Sequence, residues 1–521
     1  MLRYSKEKLD KEDSITKIYY MVQDELEARR KLYEEYRRKA SDSELASEND
    51  EEIKVPFQRY LATMAVGYFA GKPPIYKVHA YDEEIDNLSV ELFDTAPNSE
   101  EKVKEMEYII KHITDYNDDG NEFLNLAFDY FVKRACYEML YKNTEGEIVY
   151  AVSDALETVA IWDFSVPKQL IGLYRIINQT LADGKKMVMV ELTTEKGKRY
   201  YQADAEKLKT FANNEAGNEE KAKFKEDKKQ RQGAKWTNLQ VVAIENEDNM
   251  NIFESVSSLI NAYERVIQNS RNVFKYNDEA ILMVKGYSPE NDMIIKDASG
   301  TDMVNQARLL EDQQVLESRV RYIDADGDLK WVTKDVNDNA LQNHKKTLVD
   351  LICMLAFVPN MQDLGFTNAD NSSALEKKFF SLQQYVARAK GDFIQGLNRR
   401  WELIFDKFNK DKGKDYDFRN VEITIEPNIP TDMASMTDLA MKLRDILSDE
   451  TVIGLLPFNF DPKNEIAKKE TESQEQLEKN QENMSNFNQL PQGVEMANEE
   501  EPVNVPRVGE TAPNEAENTL E

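Results

Sequence analysis

The stretch from Asn337 to Phe408 constrains what this chain can fold into more than any other. Leu341, Leu348, Leu351, Ile352 and Leu355 share one face of a predicted helix. An irregular segment, Val358 to Ser372, follows. A second apolar seam then begins: Leu375, Phe379, Leu382, Val386, Ala389, Phe393, Leu397, Trp401, Ile404 and Phe408. Spacings of three and four sustained over that length put a stripe down one side of a helix. A helix of roughly 35 residues runs roughly 50 Å at 1.5 Å per residue, beyond the usual globular length. Two readings are open on this evidence: the antiparallel helical core of a monomer, or a girder in a larger assembly.

At 521 residues the chain is long enough for more than one core. Its formal charge of −30 argues against a protein that grips nucleic acid by neutralising phosphates. That charge is compatible with one that lets DNA slide past. No run of about 18 apolar residues exists, so no transmembrane helix is expected. The N-terminal Met1-Leu-Arg-Tyr-Ser-Lys-Glu-Lys has no apolar core and does not read as a signal peptide. Cys136 and Cys353, both in apolar patterns read as helical, are expected to be buried free thiols. His79, His112 and His344 are scattered. No metal site, cofactor or nucleophile is therefore expected. Paired acids such as Asp324 and Asp326 lack a partner base, so no enzyme is expected either.

In chain order, a charged helix is predicted over about Lys11–Ala40, then an acidic loop. A small-residue helix spans Phe57–Phe69. Gly71 suits its C-terminal end, and Pro73-Pro74 forbid continuation. Ile75–His79 reads as a strand, and helices follow near Glu101–Ile113 and Glu122–Leu140. From Ile148 to Tyr201, hairpin strands are separated by turns at Asp183-Gly184 and Lys196-Gly197. Residues 213–235 are polar and partly basic; a nucleic-acid patch is one reading, but the interleaved acids and scarce aromatics favour a solvated hairpin loop. A strand at Leu239–Ile244 precedes a helix from about Met250 to Phe274. Residues 280–334 look short and β-like. Val320–Ile323 and Leu329–Val332 flank a turn at Asp324–Asp328 that lacks the glycine and terminal acid of a calcium loop. After the long helix come a strand at Val421–Glu426 and a helix over about Asp432–Leu447. Ser448 is placed to cap the next helix, and a last charged helix starts near Asn464. Beyond about Asn480 the composition cannot bury enough surface to order itself.

This succession resembles the portal proteins of tailed bacteriophages, the head-to-tail connectors, in the type found in long-tailed phages of Gram-positive hosts. The residues that carry it are Val66-Gly-Tyr-Phe-Ala-Gly-Lys-Pro-Pro74, Tyr137-Glu-Met-Leu-Tyr-Lys-Asn-Thr-Glu-Gly146 and Phe253 to Tyr263. With them go Ser372-Ser-Ala-Leu375, Asn428-Ile-Pro430, Ile446 to Thr451 and Phe460-Asp-Pro-Lys-Asn-Glu465. Ser373 stands where the family usually has glycine. The order and spacing of these motifs cover roughly residues 10–470.

The resemblance implies an α+β portal-type subunit. Its parts are an α+β wing (1–250), a two-helix stem (251–278 and 335–357) and a small β-containing clip (279–334). A tunnel loop (358–372) precedes the long wing helix and strand (373–428). A helical crown (429–470) and a mostly disordered acidic tail (471–521) follow. It implies a homo-oligomeric ring of about twelve subunits at one capsid vertex, assembled in the host cytoplasm, with no membrane partner. The expected partners are double-stranded DNA in the channel, the terminase large subunit, the head-tail adaptor, the scaffold and the major capsid protein. On that layout the channel residues are Asn360, Met361, Gln362, Asp363, Leu364, Phe366, Asn368 and Asp370. Lys345 and Lys346 on the stem either face DNA or pair with carboxylates, and Tyr287, Tyr322, Asp326 and Trp331 of the clip meet the partners. The loop carries acids and no Lys or Arg, which suits DNA that must pass without being held. A capsid or baseplate protein without DNA contact is the alternative.

Overall fold

In a computed structural model the described residues are 2–9, 11–37, 53–93, 97–212, 224–233, 236–246, 248, 250–278, 282–285, 292–296, 302–317, 320–323, 338–362, 372–429, 433–444, 446–454, 465–474, 476 and 479. They fall into two units, Met1–Pro430 and Thr431–Glu521.

In the first unit, β1 (Leu2–Arg3) and α1 (Lys6–Leu9) lead into α2 (Glu12–Arg37). The spacing of Ile15, Ile18, Val22 and Leu26 puts all four on the buried face of α2. That face covers a seven-stranded sheet of β5 (Thr158–Trp162), β6 (Leu170–Thr180), β7 (Lys186–Thr194) and β8 (Gly197–Asp204). Strand β1 adds in parallel to β5, and β9 (Lys225–Glu226) and β10 (Gln232–Gly233) both pair with β8. Turns at Gly184 and Gly197, both at positive φ, connect antiparallel neighbours.

A second layer holds α3 (Phe57–Ala70), α5 (Glu100–Asn117) and α6 (Asp119–Lys133), with the long helix Ser372–Lys412. A three-stranded sheet of order β11 (Val241–Glu245), β3 (Ala135–Lys142), β4 (Ile148–Ser153) lies between the long helix and the larger sheet. Strand β2 (Ile75–Val78) pairs with Val421–Thr424. The long-helix seam is buried from Phe379 through Ile404. Phe393 alone meets Phe69, Phe123 and Tyr130 at ring separations of 5.0–5.5 Å. Helix α8 (Ser257–Asp278) packs against α10 (Asp338–Leu355).

Several expectations are corrected. The helix read over Glu122–Leu140 stops at Lys133, and residues 135–142 are strand β3. Arg134 sits at φ 68°, a left-handed turn that no glycine announces. Strand β3 is buried on both faces through Leu140, so apart from Glu138 it is apolar on both there and shows no alternation. Cys136 therefore lies on a strand; both cysteines are buried and free. Burial raises the Cys136 thiol well above its ordinary pKa, and the Cys353 thiol to about 11, which keeps both protonated at neutral pH.

Residues 280–334 are not only β-like, because α9 (Gln306–Glu317) stands among them. Asn305 starts it, its side chain accepting from the Ala307 N–H. Val320–Ile323 (β15) pairs in parallel with β12 (Leu282–Lys285), its expected hairpin partner Leu329–Val332 lying outside the described residues, while β13 (Ile294–Lys296) pairs with β14 (Asp302–Val304). The helices α4 (Glu83–Phe93) and α7 (Ala205–Ala212) are additional to those expected. Gly71 ends α3 at φ −70°, so left-handed freedom is not why it is there. A Cβ at that position would lie 2.3 Å from the Asn428 side chain, whose backbone N–H bonds Tyr68 O.

In the second unit, helices Met433–Leu443 and Asp449–Gly454 are joined by a turn. Ser448 Oγ accepts from the Thr451 N–H and caps the second of them. Residues 465–474 are helical. The turn at 324–328, the loop from 363 to 371 and the segment beyond 479 lie outside the described residues.

Candidate functional site

The long helix is fixed to the strand layer through a buried charge cluster. Arg400 is fully enclosed, and its guanidinium bonds both oxygens of Glu138 at 2.7 and 2.8 Å and Asp119 Oδ1 at 2.6 Å. It also lies over the Tyr150 ring at 4.3 Å. Tyr76 and Tyr150 donate to Asp119 at 2.9 and 2.8 Å. The cluster ties β2, α6, β3 and β4 to the long helix. One planar fork serves two carboxylates, which a lysine ammonium cannot match. Burial raises the Glu138 pKa, with Arg400 pulling the other way. Sequence patterns gave no sign of this group, because its members lie on five separate elements and each of its charged residues reads as a solvated one.

On the first layer, a second arginine is enclosed in a similar manner. Arg29 bonds Ala155 O, Thr158 O and Tyr137 Oη, and Tyr137 in turn donates to Glu245. Arg134 pairs with Glu254 at the start of the α8 region.

The segment expected to line a channel begins where α10 ends. Phe357 adopts φ 60°, the Val358 N–H bonds Cys353 O, and the Phe357 N–H bonds Met354 O. This is a left-handed C-terminal cap with phenylalanine in the place where glycine is usual. Its ring stacks on Tyr385 of the long helix at 5.7 Å, and Ser381 Oγ donates to its carbonyl. Tyr60 donates to Pro359 O. The root of the loop is therefore held by α3 and by the long helix.

Of the predicted channel residues, Asn360 is half-buried and its side chain bonds Asp350 at 2.8 Å. Met361 and Gln362 are exposed, and the Gln362 N–H bonds Asn360 Oδ1. Asp363, Leu364, Phe366, Asn368 and Asp370 lie outside the described residues. On α10, Lys345 is half-buried and Lys346 exposed, and neither is in an ion pair among the described residues. Tyr322 lies on β15 opposite Val284, while Tyr287, Asp326 and Trp331 are outside the described residues. The structure thus brings Asn360, Met361 and Gln362 together at the end of α10 and leaves Tyr322 on a separate small sheet.

Two sets of apolar side chains stand uncovered. Around the end of α10 they are Met354, Leu355, Phe357, Met361 and Phe380. On β13, β14 and α9 they include Met293, Ile294, Ile295, Met303, Val304 and Leu310. Both faces of the β13–β14 ribbon are apolar, and an isolated two-stranded ribbon is at best marginal in water. Among the described residues no helix is long and apolar enough to cross a membrane, and no group of three His, Cys, Asp or Glu side chains is placed to hold a metal ion.

No curated protein matches the chain. A family model described as phage portal protein, SPP1 Gp6-like, matches residues 6–479. That match runs over nearly the whole sequence and agrees with the mixed helical and strand architecture, and the chain therefore belongs to the phage portal protein family.

Proposed function

We propose that this chain forms the ring through which a phage genome enters and leaves its capsid, and on which the packaging motor and the head-tail adaptor dock. The observation that carries this reading is the family match over residues 6–479. The uncovered apolar residues at the end of α10 and on β13, β14 and α9 support it, because a single chain leaves them in water. In the ring they are covered: the α10 set by neighbouring copies, the β13–β14–α9 set by neighbours and by the docking partners. Helices α8 and α10 form the stem, residues 358–372 line the channel, and residues 279–334 form the clip.

The charge of −30 fits passage of DNA without tight binding. Each phosphate neutralised by a lysine or arginine adds salt-sensitive affinity, and a lining of Asn360, Met361, Gln362, Asp363 and Asp370 adds none. Lys345 and Lys346 are then the nearest cations on the N-terminal side of that lining.

Electron microscopy of the purified full chain is expected to show rings with a central hole. A photo-crosslinking side chain at Gln362 is expected to label DNA in packaged particles. Compact monomers at micromolar concentration would overturn the ring. Rings whose position 362 never crosslinks to DNA would turn the reading toward a capsid or baseplate component without DNA contact. Asp363→Lys with Asp370→Lys is expected to impair packaging, and unchanged packaging would remove the loop from the channel wall.

A further inference from the structure

A groove of about 570 Å³ runs along strand β11, between the long helix and the β5–β6 end of the larger sheet. It is lined by all five residues from Val241 to Glu245. Consecutive residues of a strand point to opposite faces, so a cavity that touches every one lies along the strand's hydrogen-bonding edge. The register agrees. Among the described residues strand β11 pairs only with β3 and ends its sheet. The Leu140 N–H bonds Gln240 O and the Asn246 N–H bonds Arg134 O, which turns the even-numbered residues of β11 toward β3. The odd-numbered ones face the groove. Val241 C=O, both backbone groups of Ala243 and the Glu245 N–H have no hydrogen-bond partner among the described residues.

This edge is rigidly presented. The Val242 and Ile244 side chains pack under the long helix at Gly396, where a Cβ would come within 2.5 Å of Ile244. Val241 is buried on the opposite face among Tyr137, Leu173 and Leu239. Glu245 is anchored by Tyr137 and by Trp162 Nε1 at 2.7 and 3.0 Å. An edge of fixed register, half-exposed at Ala243 and Glu245 and with donors and acceptors unused among the described residues, is a template for another strand.

We infer that this groove takes an extended, basic peptide segment of a partner protein, which adds to β11 as an antiparallel or parallel strand. The backbone groups specify an extended chain. The walls specify its charge: Glu195 is paired with Lys6 and Glu402 with Arg399, which leaves Glu245 and Asp392 against Lys168, a net acidic surplus. Arg399 is already paired with Glu402 at 2.7 Å, and Lys168 lies over the Trp162 ring. A second copy of this acidic chain fits such walls less well than a cationic segment. The inference does not depend on the ring or on the DNA channel.

The test uses the full-length protein and a fluorescein-labelled short peptide of alternating Lys and Val, with the same peptide carrying Glu in place of Lys. The basic peptide is expected to bind about tenfold tighter than the acidic one and to slow hydrogen exchange at the Ala243 and Glu245 amides. Ala243→Pro removes an outward donor without touching the β3 pairing. Gln395→Trp, at an exposed position of the helical wall, fills the groove while leaving the strand alone. Each variant is expected to lose binding about tenfold or more. Equal affinity for the two peptides, absence of binding, unchanged exchange at Ala243 and Glu245, or binding that survives Gln395→Trp would overturn the inference.

Discussion

The junction of the long helix with the strand layer and the ribbon β13–β14 with α9 are opposite kinds of surface in one chain. At the junction, Phe393, Arg400 and Trp401 are fully enclosed, and even the charged residue has each guanidinium nitrogen engaged by a carboxylate or a tyrosine. On the ribbon, Met293 is 62% exposed and Ile294 59%, and no apolar neighbour covers them among the described residues. The first region is complete within one subunit. The second has the composition of an interior and the exposure of a surface. Substitutions should therefore separate cleanly: those at the junction act on the stability of the chain, and those on the ribbon act on what the chain joins.

The largest effect is expected at Arg400. Arg400→Met leaves Glu138 and Asp119 enclosed without their cation and should cost about 3–5 kcal/mol, read from the urea midpoint. A loss under about 1 kcal/mol, the scale of an exposed pair, would mean that water reaches the cluster and that the junction is not the closed region described. Gly396→Ala comes next. The added methyl has Ile244 in its way, and overpacking of this kind costs about 1–3 kcal/mol. The gain in helix propensity offsets about 1 kcal/mol, so a modest net fall in Tm is expected, and a rise would show that β11 yields easily.

Glu138 sharpens the same comparison through pH. Its pKa is raised by burial against the pull of Arg400. A carboxyl whose folded pKa lies above its unfolded value, about 4.3, contributes stability that is complete below that value and is lost as pH rises through the folded pKa. Wild type should thus lose stability relative to Glu138→Gln as pH rises from about 4. The opposite slope would mean that Arg400 outweighs burial. The smallest effect on stability belongs to the ribbon: Ile294→Asp should change the unfolding free energy by no more than about 0.5 kcal/mol. The same variant is expected to weaken ring assembly or partner capture in sedimentation, and unaltered assembly would break the contrast between the two regions.

The two regions also differ in how far a reader of the bare sequence could see them. The long helix was legible because nine or more apolar residues keep one period, and nothing but a helix gives that stripe. The Arg400 cluster was not, since Asp119, Glu138 and Tyr150 come from positions far from Arg400 in the chain and only the folded layers bring them together. Strand β3 was misread because burial on both faces erases the alternation that marks a strand, and because Arg134 makes its left-handed turn without a glycine. Helix α9 was hidden for a different reason: its apolar residues are few and do not keep a helical stripe, and Leu309 and Leu310 are exposed. Of the segment proposed to line the channel, the place between α10 and the long helix was legible. Its anchoring to Tyr60, Ser381 and Tyr385 was not.

That anchoring has a consequence for how the loop's first residues are set. A glycine at the end of α10 would hold a left-handed turn by itself. Phenylalanine in that conformation costs about 1–2 kcal/mol, and stacking on Tyr385 returns about 0.5–1.5 kcal/mol. The turn at Phe357 is therefore conditional on the long helix being in register. If the helix slid by one residue, Tyr385 and Ser381 would leave their partners and the turn would lose what offsets its strain. The direction in which the loop leaves α10 is thus a readout of the long helix's axial position, which couples two elements that share no continuous backbone hydrogen bonding.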